Sequence, residues 1–98
     1  MALSLTEAPA LVRVGFGNFV ARARVLSVLS SAPAPVQRLI RHAREEGLVI
    51  DMTAGRRTRA VAVLDSGNIF LLGLTQRELG TRGLPVGVQA RRRRTRAS

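Results

Sequence analysis

Apolar and polar positions along the chain predict short strands on both sides of one amphipathic helix. The run LVRV at 11–14 is typical of a strand, and the glycines of GFGN at 15–18 favour a turn after it. Residues 19–29 alternate in part, which predicts one bent strand or two short ones. From Pro35 to about Glu46 the apolar positions follow the i, i+3, i+4, i+7 spacing of a helix, and Gly47 is a natural end for it.

The second half of the chain has the pattern of a hairpin followed by a short helix. LVID at 48–51 predicts a strand and 53–55 a turn, and RRTRAVAVL at 56–64 predicts the next strand. DSGN at 65–68 indicates a hairpin turn before a returning strand at 69–74. Thr75 and Glu78 have the spacing of a capping box for a helix from Gln76 to about Arg82. The predicted fold is α+β, with a small antiparallel sheet packed against one main helix and a short C-terminal helix.

Length and composition indicate one small domain between a loose N-terminal arm and a basic C-terminal tail. Residues 1–10 are expected to form a flexible arm, 11–83 the domain, and 84–98 a disordered arginine-rich tail that contains RRRRTR. A chain of 98 residues buries a modest core, so self-association into a homo-oligomer is an expected further source of stability.

Charge indicates a polyanionic partner and disfavours catalysis. Sixteen basic residues, all of them arginine, oppose six acidic ones and give a formal net charge of +10. The chain has no cysteine and one histidine, and its carboxylates form no convincing acid/base pair, so we expect no enzyme, cofactor or metal site. No signal peptide or membrane span is evident, which favours the cytoplasm and no membrane partner.

The segment GRRTRAV at 55–61 holds the first candidate site. In an extended segment Arg57 and Arg59 project to one face and Arg56 to the other, after a sharp turn at Gly55. Guanidinium groups delivered from one edge suit the phosphates of nucleic acid. The alternative is that these arginines are solvated and protect a strand edge from aggregation.

Three further residues are candidates, Arg24 for DNA binding and Arg22 and Asp51 as accessory residues. Arg22 and Arg24 would share one strand face and extend the basic surface, or else pair with Asp51 or Asp65. Asp51 would orient Arg56 or Arg57 by a charge-assisted hydrogen bond, or else serve only to form a turn.

Taken together, the stretches VGFGNFV, VQRLIRHAREEG and LVIDMTAGRRTRAVAVLDSGNIFL resemble the RemA family of bacterial regulators of extracellular matrix genes. The resemblance covers about Leu11 to Leu74. It implies a DNA-binding transcription regulator without enzymatic activity, built as a small α+β protomer that assembles into rings. By matching position it implies DNA contacts at Arg24, Arg56, Arg57 and Arg59, and a structural or assembly role for Pro35.

The expected function is therefore a nucleoid-associated, homo-oligomeric DNA-binding regulator or architectural protein that contacts the phosphate backbone of duplex DNA. Two alternatives stay open at this point. One is an RNA-binding module of similar construction, which the scarcity of aromatic residues disfavours because bases would lack stacking partners. The other is a scaffold protein whose arginines contact acidic partners.

Overall fold

A computed structural model describes residues 10–86 of the chain, which form six strands and two helices. The strands are β1 (Leu11–Gly15), β2 (Asn18–Ala21), β3 (Val25–Ser30), β4 (Val49–Asp51), β5 (Ala60–Leu64) and β6 (Ile69–Leu72). The helices are α1 (Ala34–Glu45) and α2 (Gln76–Thr81), and a 3-10 turn at Arg22–Arg24 separates β2 from β3. The α+β class predicted from the sequence is confirmed, and residues 19–29 form two strands rather than one bent strand.

β1 and β2 pair as an antiparallel hairpin, and the other four strands form one sheet in the order β3-β5-β6-β4. Three of these strands pair antiparallel, but β4 pairs parallel with β6, so the sheet is mixed rather than purely antiparallel as predicted. The cause is the helix between β3 and β4. A crossover helix returns the chain to the end of the sheet at which β3 begins. β4 therefore runs in the direction of β3 and pairs in parallel with β6.

The two faces of the sheet carry separate cores. On one face α1 packs Ile40 and Ala43 against Val61, Ile69 and Leu71. The opposite face is covered by the β1–β2 hairpin and α2, through the buried residues Val12, Val14, Val20 and Leu79, which meet Ala60, Ala62 and Leu72. Strand alternation explains this division, because successive residues of β5 point to opposite faces. The molecule therefore has three layers: α1, the sheet, and the hairpin with α2.

Both helices begin and end where local sequence signals place them. The N–H of Leu48 donates to the carbonyl of Ala43 at 2.9 Å and that of Gly47 to Arg44 at 3.1 Å, which is a Schellman motif at the end of α1. Gly47 has φ +74°, a conformation that glycine adopts without steric cost. The capping box of α2 is complete, since Thr75 accepts from the Glu78 N–H and Glu78 accepts from the Thr75 N–H. The helices predicted at these places are confirmed.

The domain extends slightly beyond the predicted boundary at residue 83. Leu84 is buried in the core, and the N–H of Val28 donates to the carbonyl of Pro85 at 2.8 Å. Val86 forms a parallel bridge with Val28. The start of the predicted tail, 84–86, is thus part of the fold, because its apolar residues continue the core beside β3. The predicted arm, apart from Ala10, and the arginine-rich tail lie outside the described residues.

Candidate nucleic-acid interface

One end of the sheet gathers most of the predicted site. Here β3, β4 and β6 finish and β5 begins, so the segments after Ser30, Asp51 and Leu72 meet the segment before Ala60. The turn of the β1–β2 hairpin joins them, because the side-chain amide of Asn18 donates to the carbonyl of Met52 at 3.3 Å. We call this the arginine end, since Arg56, Arg57 and Arg59 all lie on it.

A tight turn carries the chain from β4 to these arginines. The N–H of Arg56 donates to the carbonyl of Thr53 at 3.0 Å, and Ala54 and Gly55 between them have φ +55° and +82°. Two positive φ values in succession are the pattern of a type I′ turn, which reverses the chain within four residues. The sharp turn predicted at Gly55 is confirmed, and it sets the direction in which the arginines leave the sheet.

Asp51 supports this turn and does not bind the arginines. One carboxylate oxygen accepts from the hydroxyl of Thr53 at 2.7 Å and from its N–H at 2.8 Å. The Thr53 hydroxyl, and after it the Thr53 N–H, lower the pKa of the Asp51 carboxyl below its usual value. In this protomer Asp51 therefore takes the turn-forming alternative, and neither Arg56 nor Arg57 lies at ion-pair distance from it.

Residues 56–59 are not part of β5, which begins at Ala60, so the strand predicted from Arg56 is shorter than expected. Two backbone hydrogen bonds hold the end of this segment. The N–H of Arg59 donates to the carbonyl of Leu72 at 2.8 Å, and the carbonyl of Arg59 accepts from the N–H of Ser31 at 3.1 Å. The arginines still separate into two groups. Arg57 and Arg59 line the same cleft, while Arg56 lies elsewhere, over an aromatic ring.

That ring belongs to Phe16, which the sequence reasoning did not assign to the site. The guanidinium carbon of Arg56 lies 4.2 Å from the centroid of the Phe16 ring, a cation–π contact. The ring rests on Gly73, where a Cβ atom would lie only 2.6 Å from Cε2 of Phe16. Phe16 also has φ +56°, which costs a non-glycine residue about 1 kcal/mol. The GFGN turn therefore places an aromatic platform under Arg56.

Arg24 lies at the opposite end of the sheet, which we call the Asp65 end. Its Nε donates to both carboxylate oxygens of Asp65, at 2.9 and 3.1 Å. β3 has six residues between the two ends, so at about 3.3 Å per residue they are roughly 16 Å apart. Arg24 thus takes the ion-pair alternative and is not adjacent to the GRRTR arginines within one protomer.

Arg22 and Arg24 do not share a strand face as predicted, because both lie in the 3-10 turn between β2 and β3. The guanidinium of Arg22 packs over Gly83, where an added Cβ would lie 3.1 Å from one of its nitrogens. The accessory role predicted for Arg22 therefore finds no support in the geometry of the protomer, since its side chain is directed toward the end of α2 rather than toward Arg24.

The electrostatics of the two ends differ. Among residues 10–86, the pair Arg24–Asp65 is the one ion pair, and Arg56, Arg57 and Arg59 are exposed without a carboxylate at ion-pair distance. Glu78 is near enough to Arg59 to sense its charge, but its carboxylate is held by Thr75. Hydrogen bonds from the Thr75 N–H and then the Thr75 hydroxyl lower the pKa of Glu78. The arginine end therefore keeps an excess of positive charge.

The described residues contain neither a metal site nor a membrane-spanning helix. Across positions 10–86 no three His, Asp or Glu side chains come together as metal ligands would. In the same span neither helix has the length and apolar character needed to cross a bilayer.

Comparison of the sequence with known proteins shows the family to which the chain belongs. The family model RemA-like, described as extracellular matrix regulatory protein A-like, matches residues 11–82. A Synechococcus protein (strain JA-3-3Ab) named "Putative regulatory protein" is 44% identical over 80 residues, which cover 82% of this chain and 90% of that protein. Extracellular matrix regulatory protein A of Bacillus subtilis (strain 168) is 49% identical over 61 residues, or 62% of this chain and 68% of its own length. The chain therefore belongs to the RemA-like family.

Proposed function

We propose that this protein is a non-enzymatic DNA-binding regulator that holds the phosphate backbone of duplex DNA with Arg56, Arg57 and Arg59, as a homo-oligomer. One observation carries the proposal: three exposed guanidinium groups leave one end of the sheet without ion-pairing carboxylates, in a chain of formal net charge +10. Regulatory names among the relatives are consistent with it.

The guanidinium groups of the arginine end are suited to bind the phosphate groups of a nucleic acid. A guanidinium group offers a planar set of N–H donors that matches two phosphate oxygens at once, and it stays charged at any physiological pH. The backbone of Arg59 is tied to β6 and to the start of the α1 connection, so its position is fixed before binding. Preorganised donors lose less conformational entropy when the ligand arrives.

Duplex DNA is the preferred ligand over single-stranded RNA, because the chain has few aromatic rings and they are not free to stack on bases. Single strands are gripped largely by aromatic rings that stack on bases. The chain has three phenylalanines; Phe16 is occupied by Arg56, and the ring of Phe19 has Arg13 at 5.6 Å. Phe70 is half-buried against the core. Backbone contacts by arginine, which need no unstacked base, are the mode that remains.

Self-association is supported by apolar side chains that the protomer leaves exposed. Leu11, Leu26 and Phe19 are 65%, 62% and 49% exposed, and Ile50 on the edge strand β4 is 43% exposed. Burying such residues between copies would stabilise a small domain with two thin cores. An oligomer would also repeat the arginine end and bring Arg24 of several copies to the same duplex, so that weak contacts add up. Nucleoid association in the cytoplasm follows from the same proposal.

The test is a salt series with fluorescently labelled duplex DNA, read by anisotropy. The intact chain is compared with R56A/R57A/R59A and with a control triple, R38A/R41A/R44A, on the exposed face of α1. Loss of three phosphate contacts lowers the slope of log K against log salt by about 2.7, and the affinity at 0.15 M salt by about two orders of magnitude. The control should lose far less, because these three exposed arginines neither line the cleft of Arg57 and Arg59 nor lie over Phe16.

Two further arms separate the alternatives. A chain ending at Ala90 lacks the five arginines of RRRRTR, and it should keep most of the affinity and slope if the folded arginine end is the site. Unlabelled single-stranded RNA should compete less well than unlabelled duplex DNA at equal phosphate concentration. Equal loss in both triple variants, or binding that disappears only with the tail, would overturn the proposal.

A further inference from the structure

A polar cleft opens beside the arginine end, between the β3–α1 connection, the segment 57–59 and the start of α2. Its volume is about 270 Å³. Three arginines line it, Arg57, Arg59 and Arg77, together with the hydroxyl-bearing residues Ser30, Thr58 and Thr75. Arg77 is separated from Arg59 by the whole β5–β6 hairpin in sequence, so the fold rather than a motif brings it here.

Hydrogen bonds fix the walls of this cleft before any ligand arrives. The buried hydroxyl of Ser31 donates to the carbonyl of Thr58 at 2.9 Å, which ties the β3–α1 connection to the arginine segment. The side-chain amide of Gln76 donates to the carbonyl of Val28 at 2.9 Å, which ties the start of α2 to β3. Arg59 is held by β6 through its N–H. The three walls are thus rigidly spaced, and the arginine side chains are exposed at the rim.

The charges and the lining select the ligand. The cleft carries three guanidinium groups, and the neighbouring carboxylate of Glu78 already accepts hydrogen bonds from the N–H and hydroxyl of Thr75. Its lining contains no aromatic ring, so it offers a nucleobase nothing to stack on. A tetrahedral phosphate group fits such a site, since each of its oxygens accepts several N–H or O–H donors.

We propose that this cleft is a phosphate-binding site in which Arg77 acts with Arg57 and Arg59. The proposal rests in part on the function proposed above, because a phosphodiester of bound DNA is one source of the group. A free phosphate monoester is the other source, and it would use the same three guanidinium groups without requiring that DNA contact Arg77. In either case Arg77 is a ligand-binding residue that extends the GRRTR arginines across the cleft.

The experiment uses the full chain and R77Q, which keeps a polar side chain with N–H donors but removes the positive charge and the reach of the guanidinium group. R41Q is the matched control, because Arg41 is an exposed arginine of α1 that does not line the cleft. One arm measures broadening of the ³¹P resonance of inorganic phosphate by each protein at low salt. The other arm measures affinity for duplex DNA across a salt series, and circular dichroism establishes that each variant is folded.

We expect the intact chain and R41Q to broaden the phosphate resonance and R77Q to broaden it clearly less. If the cleft holds backbone phosphate, R77Q also lowers DNA affinity at 0.15 M salt by about fivefold per contact and the salt slope by about 0.9. If it holds a free phosphate group instead, R77Q loses the ³¹P effect while its DNA affinity in phosphate-free buffer equals that of R41Q.

Equal behaviour of R77Q and R41Q in both arms would overturn the phosphate site, even if the intact chain binds DNA well. Failure of the intact chain to bind duplex DNA would overturn the proposed function alone. The ³¹P arm does not depend on DNA, so it still decides whether Arg77 belongs to a phosphate site.

Discussion

At the Asp65 end of the sheet an arginine meets a carboxylate, whereas at the arginine end three arginines meet none. Arg24 donates to both oxygens of Asp65, while Arg56 rests on the ring of Phe16 and Arg57 and Arg59 line an open cleft. The carboxylates nearest the arginine end, Asp51 and Glu78, are held by threonines instead. The same side chain is thus neutralised at one end and left without a counter-charge at the other, which is what the proposed binding of phosphate by Arg56, Arg57 and Arg59 requires.

Reversing a charge at the arginine end should have the largest effect. In R57E one phosphate contact is lost and one repelling charge is added, so duplex DNA affinity at 0.15 M salt should fall by about thirtyfold. R41E introduces the same change of charge on α1 and should lose much less. Anisotropy titrations at several salt concentrations measure both. Equal losses would mean that net charge alone, rather than the position of the arginines, governs binding.

Removing the carboxylate at the other end should have a smaller effect of opposite sign. D65N leaves Arg24 without its counter-charge, and one additional cation available to phosphate raises DNA affinity at 0.15 M salt by about fivefold. The stability cost should stay below about 1 kcal/mol, since the pair is exposed, with side chains 60% and 42% accessible.

The matched control for D65N is E45Q, which removes a carboxylate from the exposed surface of α1. It should raise affinity less, because Glu45 forms no ion pair within residues 10–86 and its removal therefore releases no arginine. A fall in affinity for D65N would contradict the comparison, and would indicate that Asp65 positions Arg24 for binding rather than withholding it.

Phe16 tests whether the platform under Arg56 matters. F16L removes the ring but keeps an apolar side chain over Gly73, so Arg56 loses an exposed cation–π contact of ~0.5 kcal/mol and DNA affinity should fall about twofold. F19L removes a ring from the same hairpin, one that lies 5.6 Å from Arg13, and should leave affinity unchanged. In the background of R56Q, F16L should have no further effect. An undiminished effect there would show that the ring acts on something other than Arg56.

Local signals in the sequence were enough to predict most elements, but not how distant ones meet. The DSGN turn, the Gly47 end of α1 and the Thr75–Glu78 capping box each depend on residues a few positions apart, and each is found where predicted. Parallel pairing of β4 with β6 depends on the path of a whole helix, which no short pattern encodes. Sequence periodicity therefore gave the class of the fold, and the order of strands needed the structure.

The candidate site divides in the same way. GRRTR is contiguous, so its arginines could be identified from spacing alone. Phe16 lies forty residues before Arg56, and Arg77 twenty after Arg57, so neither contact has a local signature. The glycine opposite Phe16 is the nearest thing to a signal, because an isolated Gly73 between apolar residues indicates a close approach of another group.

Acid should lower the stability of the folded protein, because two carboxylates near the arginine end accept hydrogen bonds from threonines. The pKa values of Asp51 and Glu78 are lowered in the folded protein by hydrogen bonds from Thr53 and Thr75. A lowered folded-state pKa contributes stability that is complete above the ordinary values, 3.8 and 4.5, and is lost as pH falls through the folded-state values. Urea unfolding should therefore show stability decreasing from about pH 5 downward.

T75A removes the hydrogen bond from the Thr75 hydroxyl to the Glu78 carboxylate, the smaller of the two bonds that lower its pKa, and keeps the one from the backbone N–H. Its stability at pH 7 should be lower than that of the intact chain, because the cap of α2 is lost, and its further decrease between pH 5 and pH 3 should be smaller. T81A is the matched control, since the Thr81 hydroxyl donates to the backbone carbonyl of Glu78 at 2.7 Å and touches no carboxylate. T81A should keep the full acid dependence. Parallel curves for T75A and the intact chain would mean that the Thr75 hydroxyl adds nothing to the acid dependence, and that the backbone N–H of Thr75 alone holds the Glu78 carboxylate away from Arg59.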